Sequence, residues 1–300
     1  MFVIKHKFFF FSLAIALVLA SIAAVAVWGL QPAVDFTGGT ILEVRYDGAR
    51  PETAQLETLL NEGGFEVSNV RTGETGLIVR MKTLGEGDHT ALEALLQKDP
   101  AYKASIERLS SVGPSVGEEL RRKTVIAIIL VVLMIILYIA FTFRKVSKPV
   151  SSWTYGIVAI ITLLHDIIIP TGVFAVLGHF SGLEADTLFV VALLTILGLS
   201  VNDTIVVFDR IRENLRLNKE QSSREEFAET VGKSLEQTYV RSFNTSFTVI
   251  LVLLILFFLG GPTIHSFMLT LLVGQVAGTY SSIFIASPLL VAIAERKKVA

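Results

Sequence analysis

The chain has 300 residues, 52% of them hydrophobic and only 18% charged, with a formal net charge of -1 and a mean hydropathy of +0.63. Soluble domains carry about 25% charged residues, and here the charges are so clustered that several long stretches hold none, which marks a membrane protein. The near-neutral balance gives no reason to expect a nucleic-acid partner, and the absence of cysteine excludes disulfides, thiolate metal sites and cysteine nucleophiles.

A bilayer core of about 30 Å takes ~20 apolar residues of helix. Phe8–Leu30 meets this without a charge. Ala24-Val25-Ala26 offers a signal-peptide cleavage triplet, but the apolar run exceeds the ~7–15 residues of a signal core, so it reads as an uncleaved anchor. Residues 1–30 are thus a short terminus and the first span.

Residues 31–123 form the one long polar segment, with acidic residues outnumbering basic ones. Thr40–Tyr46 alternates as a strand, with Leu42, Val44 and Tyr46 on one face. Glu52–Glu62 carries a helical stripe of Ala54, Leu56, Leu59 and Leu60. Phe65–Arg71 and Leu77–Lys82 read as strands around a Thr72–Gly76 turn, Asp88–Lys98 as a second helix, and Lys103–Leu109 as a fourth strand. The order β-α-β-β-α-β predicts a ferredoxin-like α+β domain between the first and second spans. His89 has no catalytic company there, and no Ser/His/Asp grouping or metal-spaced cluster exists, so the domain reads as a docking surface. Glycine motifs flank it: Asp35-Phe36-Thr37-Gly38-Gly39-Thr40 before, Val112-Gly113-Pro114-Ser115-Val116-Gly117 after. Both suit sharp turns that hinge a domain to its membrane base.

Residues 124–294 contain the other spans: Thr124–Phe143, Pro149–Gly178, Asp186–Phe208, Ser242–Ile264 and Ser266–Ala294. Between the fourth and fifth, Ser223–Tyr239 repeats Phe227, Val231, Leu235 and Tyr239 every four residues. With Ser223 and Glu226 as a capping box, a separate amphipathic helix near 223–240 is expected along the membrane surface or under the bundle. Residues 295–300 are a polar tail. Lys5 and Lys7, then Arg144, Lys145 and Lys148, then Arg210, Arg212, Arg216, Lys219, Arg224, Lys233 and Arg241, then Arg296, Lys297 and Lys298 all fall on one side. The loops at Gly178–Ala185 and Gly260–Thr263 have no Lys or Arg. The positive-inside rule makes the basic side cytoplasmic, with both termini there and the 31–123 domain outside. Arg121, Arg122 and Lys123 run against the rule, but a long domain crosses regardless of charge.

An ionisable group at membrane depth costs ~2.5–3.5 kcal/mol or more, so it is a functional candidate. Asp203 lies six residues, about 9 Å of helix rise, before Asp209 at the end of the fourth span, with Ser200 one turn away and Asn202 and Thr204 beside it. Held between desolvation and a nearby cation, such a carboxyl can load and release a proton. On the fifth span, Arg241, Asn244, Thr245 and Thr248 form one polar stripe, opposite Phe243, Phe247 and Ile250. Either Arg241 is the counter-charge of Asp203, or it snorkels to the interface. His165 and Asp166 lie within the third span, and a proton relay or interhelical packing suits them equally. Pro170 follows and can kink that helix. Gly274-Gln275-Val276-Ala277-Gly278 permits close helix approach. No GxxxxGK[ST] or HExxH occurs, so neither P-loop ATP hydrolysis nor a zinc protease is expected, and the chain reads as a non-enzyme driven by an ion gradient or a partner.

The two glycine motifs, His165-Asp166, the run Ser200-Val201-Asn202-Asp203-Thr204-Ile205-Val206-Val207-Phe208-Asp209-Arg210-Ile211-Arg212-Glu213-Asn214, and Gly278-Thr279-Tyr280-Ser281-Ser282 resemble, in this order, the SecD/SecF family of the RND (resistance-nodulation-division) superfamily. The resemblance covers nearly the whole chain and lies with the SecF branch. It implies half of an RND-type transporter, paired with a similar six-span SecD. The pair works with the SecYEG channel, and with YajC, in the bacterial inner membrane. It uses the proton-motive force, with no bound cofactor, to help draw unfolded preproteins outward. It implies further that Asp203 is the essential fourth-span aspartate and Arg241 the fifth-span arginine. The alternative is a subunit of a proton-coupled small-molecule RND exporter, although such pumps carry two halves and larger outer domains.

Overall fold

The computed structural model describes residues 2–73, 76–85, 87–98, 102–142, 150–223 and 225–299. The turn residues Glu74 and Thr75, the loop residues Arg144, Lys145 and Lys148, Phe143, Pro149 and Arg224 lie outside them. In chain order, α1 (Phe2–Lys5) and α2 (Lys7–Trp28) are followed by α3 (Val34–Thr37), β1 (Gly39–Tyr46), α4 (Thr53–Glu62), β2 (Val67–Thr72), β3 (Gly76–Met81), α5 (Asp88–Leu96) and β4 (Ala104–Val112). Then come α6 (Pro114–Thr142), α7 (Ser152–Ser181), α8 (Thr187–Glu220), α9 (Phe227–Leu259) and α10 (Pro262–Ser281). A π-turn (Ser282–Ala286) joins α10 to α11 (Ser287–Val299). Six of these segments are long and apolar enough to cross a membrane, the last running through the π-turn from Ile264 to Arg296. The chain divides into two units, Pro32–Ile126 and the remainder.

In the smaller unit the described strands form an antiparallel sheet of order β2-β3-β1-β4. This is the ferredoxin-like order. The alternation in β1 puts Leu42 and Val44 on the buried face, where Leu77, Val79 and Met81 of β3 join them. Leu56 and Leu60 of α4 and Leu92 and Leu96 of α5 close this core. At the edge of the core, burial of the Tyr46 hydroxyl raises its pKa to about 12.

The two glycine motifs clasp each other. Gly39 pairs with Val112 at the ends of β1 and β4. Gly38 has φ +74, and a Cβ there would lie 2.8 Å from the Pro114 Cα. A Cβ on Gly117 would lie 2.9 Å from the Gly38 amide nitrogen. Asp35 stands in the first turn of α3, and Arg80 donates to the Thr37 hydroxyl at 2.7 Å. Gly113 has open space around it. The sequence motifs are therefore two sides of one close backbone contact.

The larger unit is a helical bundle. α7 packs against α2, α8 and α10, and α10 packs also against α8 and α9. Small residues set these approaches: a Cβ on Gly172 of α7 would fall 2.4 Å from Ser21 of α2, and one on Gly274 of α10 would fall 2.1 Å from Ile196 of α8. Asp186 caps α8, accepting from the Phe189 amide at 2.8 Å, and α7 stays helical through Pro170.

The separate amphipathic helix near 223–240 is corrected by the structure. One unbroken helix of 33 residues, α9, runs from Phe227 through the fifth span. It holds no proline, and its one glycine, Gly232, does not break it. Its N-cap is Glu226, and Ser223 accepts from the Glu225 amide instead of forming the expected box. α8 has 34 residues, about 1.5 Å of rise each, so both helices outrun the ~30 Å hydrocarbon core. Their polar ends are laced together. Asn214 donates to Ser234 and Gln237 at 2.8 Å each, Arg210 donates to Gln237 at 2.6 Å, and Asn218 donates to Glu225 at 2.7 Å. The Asn218 amide holds the Glu225 carboxyl below its ordinary pKa.

Gly38→Ala should loosen the clasp by ~1–2 kcal/mol from the left-handed backbone alone, with the contact at Pro114 adding to it. Faster amide exchange at Thr40 and Ser111 than in Gly113→Ala is the expected reading. Equal exchange in the two variants would show that the clasp does not exist.

Candidate functional site

The deepest polar cluster assembles from α7, α8 and α10. Asp166 is wholly buried. Its Oδ2 accepts from the Ser200 hydroxyl of α8 in a short hydrogen bond and from the Ser281 hydroxyl of α10 at 2.8 Å. Its Oδ1 lies 2.8 Å from His165 Nδ1. Neighbours on a helix diverge by ~100°, yet these two side chains turn toward each other. The His165 ring stacks on Tyr280 at 6.0 Å, and the Tyr280 hydroxyl donates to the Phe10 carbonyl of α2 at 2.9 Å. A Cβ on Gly278 would sit 3.1 Å from the Ser200 Cβ. Glycine there lets α10 come close enough to share Asp166 with α8.

Asp203 is buried three residues along α8 and has a different partner, accepting from the Ser246 hydroxyl of α9 at 3.1 Å. Thr204 and Ser282 are bonded at 2.9 Å. Hydroxyls of three helices thus serve the two carboxyls, Ser200 and Ser281 at Asp166 and Ser246 at Asp203.

Arg241 is not the partner of Asp203 within this chain. The expected stripe of Arg241, Asn244, Thr245 and Thr248 faces outward, and Ser242 and Ser246 face in. The inward face of α9 repeats small hydroxyls every four residues (Ser234, Thr238, Ser242, Ser246). Small side chains permit close approach, and an arginine has no room there. Thr245 and Thr248 satisfy their hydroxyls on the Arg241 and Asn244 carbonyls at 2.9 and 2.8 Å. Asn202 is also exposed, on a face of α8 shared with Thr195 and Gly198. No metal-binding group of His, Asp and Glu occurs among the described residues.

The family model described as "Protein export membrane protein SecD/SecF, C-terminal" matches residues 92–296, and "SecD/SecF GG Motif" matches residues 24–49. This chain belongs to the SecD/SecF family. It is 41% identical to the protein translocase subunit SecF of Thermobaculum terrenum, over 96% of this chain and 92% of that one. It is 37% identical to the protein translocase subunit SecDF of Thermus thermophilus, over 95% of this chain and 38% of that one. The crystal structure titled SecDF, a translocon-associated membrane protein, from that organism superposes with a TM-score of 0.81 at 33% identity, covering 98% of this chain and 38% of the other. In those SecDF chains, a region like this one is part of a longer polypeptide. The matched glycine-motif region holds Gly38 and Gly39 of the clasp, and the longer match holds Asp166, Asp203 and Arg241.

Sequence reasoning found Asp203, Asp166, His165 and Ser200. It missed Ser246 as the contact of Asp203 and did not single out Ser281, Ser282 or Tyr280 as members of the cluster. Their signal was present as hydroxyls and glycines spaced one helical turn apart in charge-free spans.

Gly278→Val should force α10 away from Ser200 and destabilise the detergent-solubilised protein by ~1–3 kcal/mol, the usual cost of overpacking. The check is its thermal aggregation midpoint, with Val276→Ala on an exposed position as the comparison. An unchanged midpoint would mean that α10 does not pack on α8 through this glycine.

Proposed function

We propose that this chain is the SecF subunit of the protein-export machinery of the bacterial inner membrane, coupling proton entry through Asp203 to the movement of preproteins. One observation carries the reading. Asp203 is buried in a spanning helix with Ser246 as its hydrogen-bond donor, while Arg241 on the adjacent helix is exposed in this half alone. A guanidinium at the membrane level needs an anion or water. An acidic residue of a second six-span half would supply it, and in the SecDF relatives a region like this one is part of a longer chain.

In this reading SecD is the second half, and the exposed Asn202, Asn244, Thr245 and Thr248 belong to the interface. Asp203 takes the proton, Arg241 biases its release across the subunit boundary, and His165 and Asp166 relay the proton or its effect to α10. The Pro32–Ile126 unit faces the periplasm and handles emerging chain, and both termini are cytoplasmic. The Gly38–Pro114–Gly117 clasp, with Asp35 and Gly113 beside it, hinges that unit. SecYEG and YajC are the expected partners alongside membrane lipid. No nucleotide or bound cofactor takes part, and the work comes from the proton gradient.

Proton-dependent stimulation of secretion into inverted membrane vesicles tests this. Asp203→Asn should lose that stimulation while retaining membrane insertion and co-purification with SecD, and full stimulation in that variant would refute the proton role. The interface has its own check. The native chain has no cysteine, so Arg241→Cys introduces a single thiol, which should cross-link to SecD. Labelling by lipid-phase maleimide without any cross-link would place Arg241 at the lipid.

A further inference from the structure

The sixth span contains the one irregular turn of the described spanning helices, and it begins at the Asp166 cluster. Ser281, the last residue of α10, donates to Asp166. Ser282, the first residue of the π-turn, is bonded to Thr204. A π-turn accommodates one residue more than the α-helix around it, and such turns concentrate at functional sites. Beyond it, the Ser287 hydroxyl is wholly buried and has no partner among the described residues. Several hydroxyls in these spans donate to the carbonyl four residues back, as Thr279 does to Gln275 at 2.8 Å, although Ser242 of α9 is buried and unpartnered among the described residues as well. The π-turn in front of Ser287 displaces the carbonyl it would use.

We propose that this π-turn is a register switch, set by the protonation of Asp166 and released through Ser281. The proposal rests on the proton-coupling reading above and adds the element that moves. As a carboxylate, Asp166 accepts from Ser200, Ser281 and His165 together. A proton arriving on Oδ2 makes that oxygen a donor, and it no longer holds two hydroxyl donors at once. Ser281 is the one to leave, because its hydroxyl already has a second acceptor, the Gly278 carbonyl at 3.1 Å. Freed, the turn relaxes to α geometry. The helix beyond it then rotates by about 100° and shifts by ~1.5 Å, one residue's worth. Ser287 gains the Ile283 carbonyl in the new register. The side chains that feel the movement are Phe284, packed on Phe10 at 4.5 Å, and Glu295, paired with Lys7 of α2.

The titratable groups around Asp166 are His165 on its own helix, Asp203 three residues past Ser200 on α8, and Tyr280 on α10. α2 has none between Phe8 and Trp28, the π-turn has none, and α11 carries its own only from Glu295 onward. His165 Nε2 is buried and unpartnered among the described residues, so it is a second place for a proton to enter the cluster.

Ala294 faces the bundle core and leaves it on rotation. With Ala294→Cys as the only thiol on this chain, maleimide labelling is measured in the full chain reconstituted with SecD at high and low pH. Labelling should be slow at high pH and rise about tenfold on acidification, the population shift that losing one charge-assisted hydrogen bond carries. Asp166→Asn, Ser281→Ala, and deletion of Ile285, which removes the extra residue, should each label fast at both pH values. Slow labelling in all three, or a pH response that persists in Asp166→Asn, overturns the switch. Should Asp166→Asn not insert, Ser281→Ala and the deletion decide alone. Secretion separates the two claims: a labelling switch in a protein whose secretion ignores Asp203 retains the device and removes the proton-driven function. Proton-driven secretion with no labelling response does the reverse.

Discussion

A carboxylate in hydrocarbon has to be surrounded by donors, and in this bundle the requirement fixes where three helices stand. Asp166 has no exposed surface and takes its hydrogen bonds from α7, α8 and α10 at once. Hydrogen bonds to a charged group contribute about 1.5–3 kcal/mol each. Two serines therefore offset the ~2.5–3.5 kcal/mol that an intramembrane acid costs on insertion scales. The geometry is what it demands in return. Ser200 and Ser281 reach one oxygen only if α8 and α10 nearly touch, and they do so where Gly274 lies over Ile196 and Gly278 over Ser200. The glycines of the sixth span exist for the acid of the third.

Asp203 has a looser setting, and the contrast divides the labour. It has a single hydroxyl donor, Ser246, where Asp166 has two serines and a histidine. Ser200 stands between them, three residues from Asp203 on one helix and bonded to Asp166 across the interface. Thr204 extends the same face of α8 to Ser282, so α8 touches both ends of the polar seam.

Periodicity and charge made most of the architecture legible. Alternation in Thr40–Tyr46 marked β1 as a strand, and Leu42 and Val44 lie on its buried face, where a one-residue slip would have turned Glu43 inward. The spans followed from length and apolar composition. What escaped were features set by size rather than polarity. Arg241 attracted the reading of an inward partner because it carries charge, yet the inward face of α9 is the one lined with serine and threonine. The helix across 223–240 was read as separate because its surface pattern is amphipathic, although the lack of any proline between Phe227 and Leu259 allows the backbone to run on unbroken. The clasp joins Gly38 to Pro114 and Gly117, motifs at opposite ends of a folded domain, and only the pairing of β1 with β4 brings them together.

α9 is polar on two sides, and a lone helix in lipid has no use for that. On its inner face Ser246 donates to Asp203 of α8, and Ser242 is buried beside it. Its outer face includes Arg241 and Asn244, neither of which lipid can satisfy, although Thr245 and Thr248 quench their hydroxyls on their own backbone. α8 adds an outward run of Thr195, Gly198 and Asn202, small and polar at helical spacing. Lipid-facing surfaces select large apolar side chains, and small polar ones select another helix. These small polar residues lie on the outer surface of α8 and α9, away from Asp203, beside the exposed Phe243 and Phe247. Asp203 and Arg241 thus face opposite sides of one pair of packed helices.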